Sequence, residues 1–139
     1  MSKREIELTY PIRGMGAVRM TRRGKFVSER AKKYIDYQQE IRLRTRGQFK
    51  GDVLTGALEV ECNFYFKAPK SYPKKKVLLA IKGMLHFVKK PDVDNLFKGV
   101  TDSLNGVVYE DDRFITHAII SKEYAEEDYI KVRVKELGE

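Results

Sequence analysis

Residues 57–66, ALEVECNFYF, alternate apolar and polar with one face almost wholly greasy. In an extended chain Leu58, Val60, Cys62, Phe64 and Phe66 point one way, and Glu59, Glu61 and Asn63 the other. Such a strand must lie in a sheet whose apolar face is covered, and helices elsewhere in the chain have to supply the cover. Two segments qualify. After Pro91, the side chains of Val93, Leu96, Phe97, Val100 and Leu104 fall within about 100° of arc, predicting a core-facing helix over 92–104. Earlier, Ser28 reads as an N-cap for a helix to about Arg46, with Ala31, Tyr34, Ile35, Gln38 and Ile41 on one face and Gly47 as its stop. Further strands are expected at Ile6–Tyr10 and near Phe114–Ser121. A last one lies where Ile130, Val132 and Val134 alternate with Lys131, Arg133 and Lys135, and residues 107–112, VVYEDD, read as a short strand-like segment. The sequence predicts an α+β fold: one small domain over residues 1–139, a mixed β-sheet with two main helices packed on one face.

Several classes drop out. The longest wholly apolar run, Val77 to Ile81, is far too short for a bilayer, so no membrane role is expected. The start MSKREIEL offers no apolar leader, and the single cysteine, Cys62, cannot form an internal disulfide; a cytoplasmic setting is expected. No Walker-type loop is present, so no nucleotide cofactor is implied. His86 and His117 are too separate for a zinc site. His86, six residues before Asp92, is a candidate supporting group or general base; His117, inside a strand, is expected to be structural.

Charge is divided unevenly. Residues 1–91 hold 22 Lys or Arg against 8 Asp or Glu, whereas residues 92–139 hold 6 against 12. A basic body suggests a polyanionic partner, since lysine and arginine displace counterions from phosphates. The stretch PIRGMGAVRMTRRGK joins three glycines to Arg13, Arg19, Arg22, Arg23 and Lys25 and reads as a mobile cationic loop. A second basic loop carries Lys70, Lys74, Lys75 and Lys76, and Lys89 and Lys90 adjoin the acids. Tyr72 and Phe26 lie in or beside these loops, placed to stack on unpaired bases. Arg42, Arg44 and Arg46 suit the C-terminal dipole of the first helix.

The acids concentrate in KKPDVDNLFKGVTDSLNGVVYEDD, residues 89–112. Asp92 falls at the start of the second helix, Asp94 in its first turn, and Lys98 one turn further along the same flank. Asp111 and Asp112 follow the strand-like segment and are expected to meet the helix acids at one rim. Carboxylates crowded together either take up protons or are neutralised by cations. Hard divalent ions with oxygen ligands suit such a set, and a pair of them can flank a phosphodiester. Each piece also has a plainer reading: Asp-x-Asp as a helix cap, Asp94–Lys98 as a surface ion pair, and Asp111-Asp112 as a turn.

Taken whole, KPDVDNLFKGVTDSLNGVVYEDD resembles the signature of the RusA family of crossover-junction endodeoxyribonucleases, and RRGKFVSERAKKYIDYQ resembles the family's lead into its first helix. PIRGMGAVR departs from the proline-rich start of that family. The resemblance implies a Mg²⁺-dependent nuclease, with Mn²⁺ a possible substitute, that cuts four-way (Holliday) DNA junctions as a homodimer and leaves 5′-phosphate ends. It implies that Asp92, Asp94 and Asp112 are catalytic metal-binding aspartates, that Asp111 is a further acid at the metal, and that Lys98 is the functional lysine. The DNA contacts expected are Arg13, Arg19, Arg22, Arg23, Lys25, Lys74, Lys75, Lys76, Lys89 and Lys90. Two rivals stand beside this: a non-catalytic module for branched or single-stranded DNA, and a nuclease with a broader taste for flaps or RNA. An unrelated Asp-x-Asp transferase lacks room in a chain this short for a nucleotide-binding domain.

Overall fold

The computed structural model describes residues 3–19 and 29–138. Four strands, β1 (Glu5–Tyr10), β2 (Ala57–Lys67), β3 (Ile115–Ala125) and β4 (Tyr129–Gly138), form one sheet in the order β1-β4-β2-β3. β1 and β2 run antiparallel to β4, and β2 runs parallel to β3, so the sheet is mixed. The helices are α1 (Glu29–Gln48), α2 (Lys74–Ile81) and α3 (Val93–Leu104). None among the described residues is long and apolar enough to cross a membrane.

The alternation in β2 is realised residue by residue. Leu58, Val60, Cys62, Phe64 and Phe66 are each fully buried, while Glu59, Glu61, Asn63 and Tyr65 are half-buried on the other face. In register beside them, Val134, Val132 and Ile130 of β4 extend the apolar surface opposite Val60, Cys62 and Phe64. α3 presents Leu96, Val100 and Leu104 to this core, all fully buried; Val93, at its first position, stays exposed. α1 contributes Ala31, Tyr34, Tyr37, Ile41 and Thr45, so Tyr37 rather than Ile35 completes the predicted stripe. Thr45 hydroxyl donates to the Ile41 carbonyl at 2.6 Å, leaving Tyr10 to donate to Thr45 at 2.7 Å and join β1 to the helix. Arg42 does more than suit its own helix dipole, since its Nε donates to the Ser103 carbonyl at the end of α3.

Three expectations are corrected. Residues 74–76 are not loop: they form the first turn of α2, where three lysines oppose the helix dipole and so disguise the helix in the sequence. The segment 107–112 is not a strand. Asn105-Gly106, with Gly106 at φ 77°, closes a turn in which the Gly106 N–H donates to the Tyr109 carbonyl, and Val108 and Tyr109 are buried without a ladder. The glycine-rich segment is not free either over the part described. A Cβ on Gly14 would lie 2.7 Å from Phe64, and one on Gly16 2.6 Å from the Asn95 amide, so only glycine lets residues 13–17 lie this close against α3. Arg22, Arg23, Lys25, Phe26 and Ser28 lie outside the described residues.

Glu136 closes the sheet's far end. Its carboxylate accepts from the Arg4 N–H at 2.7 Å, the Thr55 N–H at 2.8 Å and the Arg4 guanidinium at 3.3 Å. Burial pushes its pKa up, but the Thr55 and Arg4 donors outweigh that and hold it below the usual glutamate value. A depressed carboxylate stabilises the fold above its ordinary pKa and loses that contribution as pH falls through its lower folded value. Glu136→Ala is therefore expected to cost about 1–3 kcal/mol at neutral pH, read by urea denaturation, with a smaller deficit in acid. An unchanged urea midpoint would contradict this.

Candidate active site

α3 begins at the end of a segment that crosses a cis Lys90–Pro91 bond, and Asp92 stands at its N-cap position. The capping explanation fails for Asp92, because its side chain makes no cap hydrogen bond. Asp94 follows in the first turn, and both carboxylates are exposed. Neither finds a hydrogen-bond or ion-pair partner among the described residues. The helix rise carries the same flank about 6 Å to Lys98 and about 12 Å to Asp102.

Lys98 does not pair back to Asp94. Its Nζ bonds forward to Asp102 Oδ2 at 3.0 Å. The hydrogen bond and charge of Asp102, with the nearby Asp112, raise the Lys98 pKa above its ordinary value, so it is a cation throughout the neutral range. Asp102 was absent from the expected site, although its i, i+4 spacing from Lys98 was a legible signal. Asp112 opens a short 3-10 turn, 112–114, directly after the Gly106 turn; Tyr109 anchors that connection to α3 by donating to the Thr101 carbonyl at 2.8 Å. Asp111 is half structural, since its Oδ1 accepts the Arg113 N–H at 2.8 Å and caps the 3-10 turn. Partial burial raises the Asp112 pKa, and a shared hydrogen bond with Asp102, the Asp102 charge and Asp111 add to it.

Three hollows follow one another along α3. The first, of about 680 Å³, brings Asp92 and Asn95 together with Arg13, Arg30 and Lys90. The second, of about 570 Å³, shares Asn95 and adds Arg19, Lys98 and Asp102. The third, of about 350 Å³, shares Lys98 and adds Asp112, Thr116 and His117. Each hollow along the helix thus sets an acid beside cations: Asp92 with Arg13, Arg30 and Lys90, Asp102 with Arg19 and Lys98, and Asp112 with Lys98. Arg30, which the sequence pattern did not single out, stands in the first hollow beside Asp92. Both histidines are exposed: His117 lines the Asp112 hollow with Nδ1 2.9 Å from Thr116 Oγ1, and His86 lines a small pocket beside Phe87 and Lys122.

The second basic region gathers on aromatic rings. Lys76 and Lys89 sit 3.9 and 5.1 Å from the Tyr72 ring centroid, and Arg13 lies 4.9 Å from that of Phe66. Tyr72 also meets Tyr124, hydroxyl to hydroxyl, at 3.2 Å. Lys74, Lys75 and Lys90 are exposed nearby in the sequence.

A family model described as Endodeoxyribonuclease RusA matches residues 10–135. The chain belongs to the RusA family. It is also similar to the uncharacterized protein YqaN of Bacillus subtilis (strain 168), 40% identical over 88 residues, which cover 62% of each chain. This chain therefore spans less than two thirds of that relative's length. The donor chemistry along α3 suits a divalent cation: the carboxylates are all-oxygen ligands, and crowding at Asp112 is what a cation would relieve. Among the described residues, however, no three His, Cys, Asp or Glu side chains converge into one metal-holding group. The acids form two stations, Asp92 with Asp94 and Asp102 with Asp111 and Asp112, and Lys98 lies between them.

A carboxylate whose pKa is raised on folding costs stability above its ordinary value of 3.8 and costs none below it. In metal-free buffer at neutral pH, Asp112→Asn should raise the melting temperature by a few degrees, on the order of 2–6 °C, and the gain should vanish below about pH 4. Millimolar Mg²⁺ should raise the wild-type value and move the variant less. A variant less stable than wild type at pH 7 would contradict the crowding.

Proposed function

We propose that the chain is a divalent-metal-dependent, structure-selective endodeoxyribonuclease that resolves four-way DNA junctions as a homodimer. The observation that carries this reading is the row of hollows along α3, in which Asp92, Asp102 and Asp112 stand to either side of Lys98 with Arg13, Arg19, Arg30 and Lys90 beside them. Family membership supplies the reaction class, and the residues supply the roles.

Asp92, Asp94 and Asp112, with Asp111, would hold Mg²⁺ or Mn²⁺. Bound there, such an ion supplies Lewis-acid polarisation of the phosphodiester and a more acidic attacking water. The protein's own contribution is positional and electrostatic. Lys98, fixed by Asp102, keeps a permanent cation beside the acids, where charge grows on the phosphoryl oxygens during in-line attack. Arg13, Arg30 and Lys90 bind the flanking backbone, and Lys76 and Lys89 about Tyr72 make a second contact surface. A four-way junction has twofold symmetry, so paired cuts call for two copies of this site, and a symmetric dimer provides them.

The test is cleavage of a synthetic four-way junction with Mg²⁺, against matched linear duplex. Wild type should nick opposing strands symmetrically, leaving 5′-phosphates, and spare the duplex; Asp94→Asn should lose roughly a hundredfold or more in rate while still binding. Binding by that variant should weaken roughly a hundredfold between about 50 and 200 mM salt, because the contact is with phosphate. The separation of the two acid stations favours one alternative, a non-catalytic binder of branched DNA. Tight junction binding with no cutting in Mg²⁺ or Mn²⁺ would establish that alternative instead.

A further inference from the structure

Lys122 occupies a position that alternation assigns to the core. In the parallel register with β2 it stands beside Phe64, between Ile120 beside Cys62 and Tyr124 beside Phe66, and those three partners are all fully buried. A lysine there is out of keeping with its neighbours, and its ammonium has no carboxylate partner among the described residues. It is instead spent on backbone. Nζ donates to the Lys89 carbonyl at 2.7 Å and to the Pro91 carbonyl at 3.0 Å, and lies 5.5 Å from the Phe87 ring centroid.

Those carbonyls belong to a stretch with little else to hold it. Among the described residues, no backbone–backbone hydrogen bond involves residues 85–91, and Val88, Lys89 and Lys90 are exposed. Phe87 packs into the core against Phe66 at 4.4 Å between centroids, which fixes one end. The other end is Asp92, whose carbonyl accepts the Leu96 N–H and starts α3. Between these points Lys122 supplies the only hydrogen bonds to the backbone among the described residues, while the Lys89 side chain turns to Tyr72.

We propose that Lys122 is a positioning residue: its ammonium clamps residues 89–91 and thereby sets where Asp92, Lys89 and Lys90 stand relative to Lys98 and Asp112. The idea rests on reading Asp92 as part of the nuclease site. Charge suits the task, because an ammonium between two carbonyls holds backbone without neutralising the neighbouring acid.

The test compares wild type, Lys122→Met, which keeps the stem but loses the donors, and Lys122→Arg, which keeps donors. Amide hydrogen exchange is measured without DNA or metal, and kcat and KM are measured on a four-way junction with Mg²⁺. In Lys122→Met, amides from Leu96 to Lys98 should exchange about tenfold faster while those of β2 and β4 stay unchanged. Its kcat should fall roughly tenfold to a hundredfold with KM within about twofold, and Lys122→Arg should restore most of the loss. Wild-type exchange around Leu96 in Lys122→Met would overturn the proposal. So would a loosening that spreads through the whole sheet, which marks a purely structural lysine. If wild type fails to cut junctions, the nuclease reading falls, and the exchange pattern alone decides the role of Lys122.

Discussion

The inner face of β2 is the constraint on which the rest depends. Paired on both edges, to β4 and to β3, it presents five fully buried side chains in one row and leaves α3 a single way to dock, through Leu96, Val100 and Leu104. Once α3 is seated, everything polar on its opposite flank is committed to a line: Asp94, Lys98, Asp102. The segment 13–17 then fits only because glycines at 14 and 16 leave room beside Phe64, Pro91 and Asn95, and the Ala17 N–H closes the contact on the Asn95 carbonyl at 3.1 Å. The same packing that buries the core therefore delivers Arg13 to the hollow of Asp92 and Arg19 to that of Lys98 and Asp102.

That arrangement makes sense of opposite charges in one small domain. Carboxylates along a helix repel phosphate unless cations intervene, and cations alone would bind DNA without acting on it. Here each acid station has basic company at a different range. Lys98 is bonded to Asp102, and Arg13, Arg30 and Lys90 share the hollow of Asp92 without being paired to it. Unpaired Asp92 and Asp94 keep their ligand capacity, whereas Asp111 has lent part of its own to capping a turn.

Patterning with a clean period was legible: the period-2 row of β2 and the stripe of α3 both read directly from the chain, because burial there is one-sided and long enough to repeat. Elements whose local signals conflict were not. α2 hides behind Lys74, Lys75 and Lys76, which oppose its dipole, and the Val107–Asp112 segment has strand composition but too short a span to pair. At the candidate site, residue types and spacing drew attention to Asp92, Asp94, Lys98 and Asp112, and the family resemblance suggested their roles, but neither said which of them meet. The meeting of Asp112 with Asp102 depends on where the turn after α3 returns the chain, and the exposure of His117 depends on β3 lying at the sheet's edge. Lys122 left a trace, a charge in phase with Ile120 and Tyr124, yet its meaning required knowing which backbone it faces.

β3 has a part in the site that its composition does not advertise. It starts directly after Asp112 and reaches Lys122 seven residues beyond Ile115, a rise of roughly 23 Å. α3, whose end leads through the turn to β3, covers roughly 18 Å over its 12 residues. Strand and helix are joined at one end by the Gly106 turn, with Tyr109 bonded across it, and the strand runs only a few ångströms beyond the helix. The other end is free in sequence and is bridged by Lys122 to the residues that precede Asp92. On the proposal above, a closed frame of this kind fixes the separation of the two acid stations by covalent geometry and one clamp.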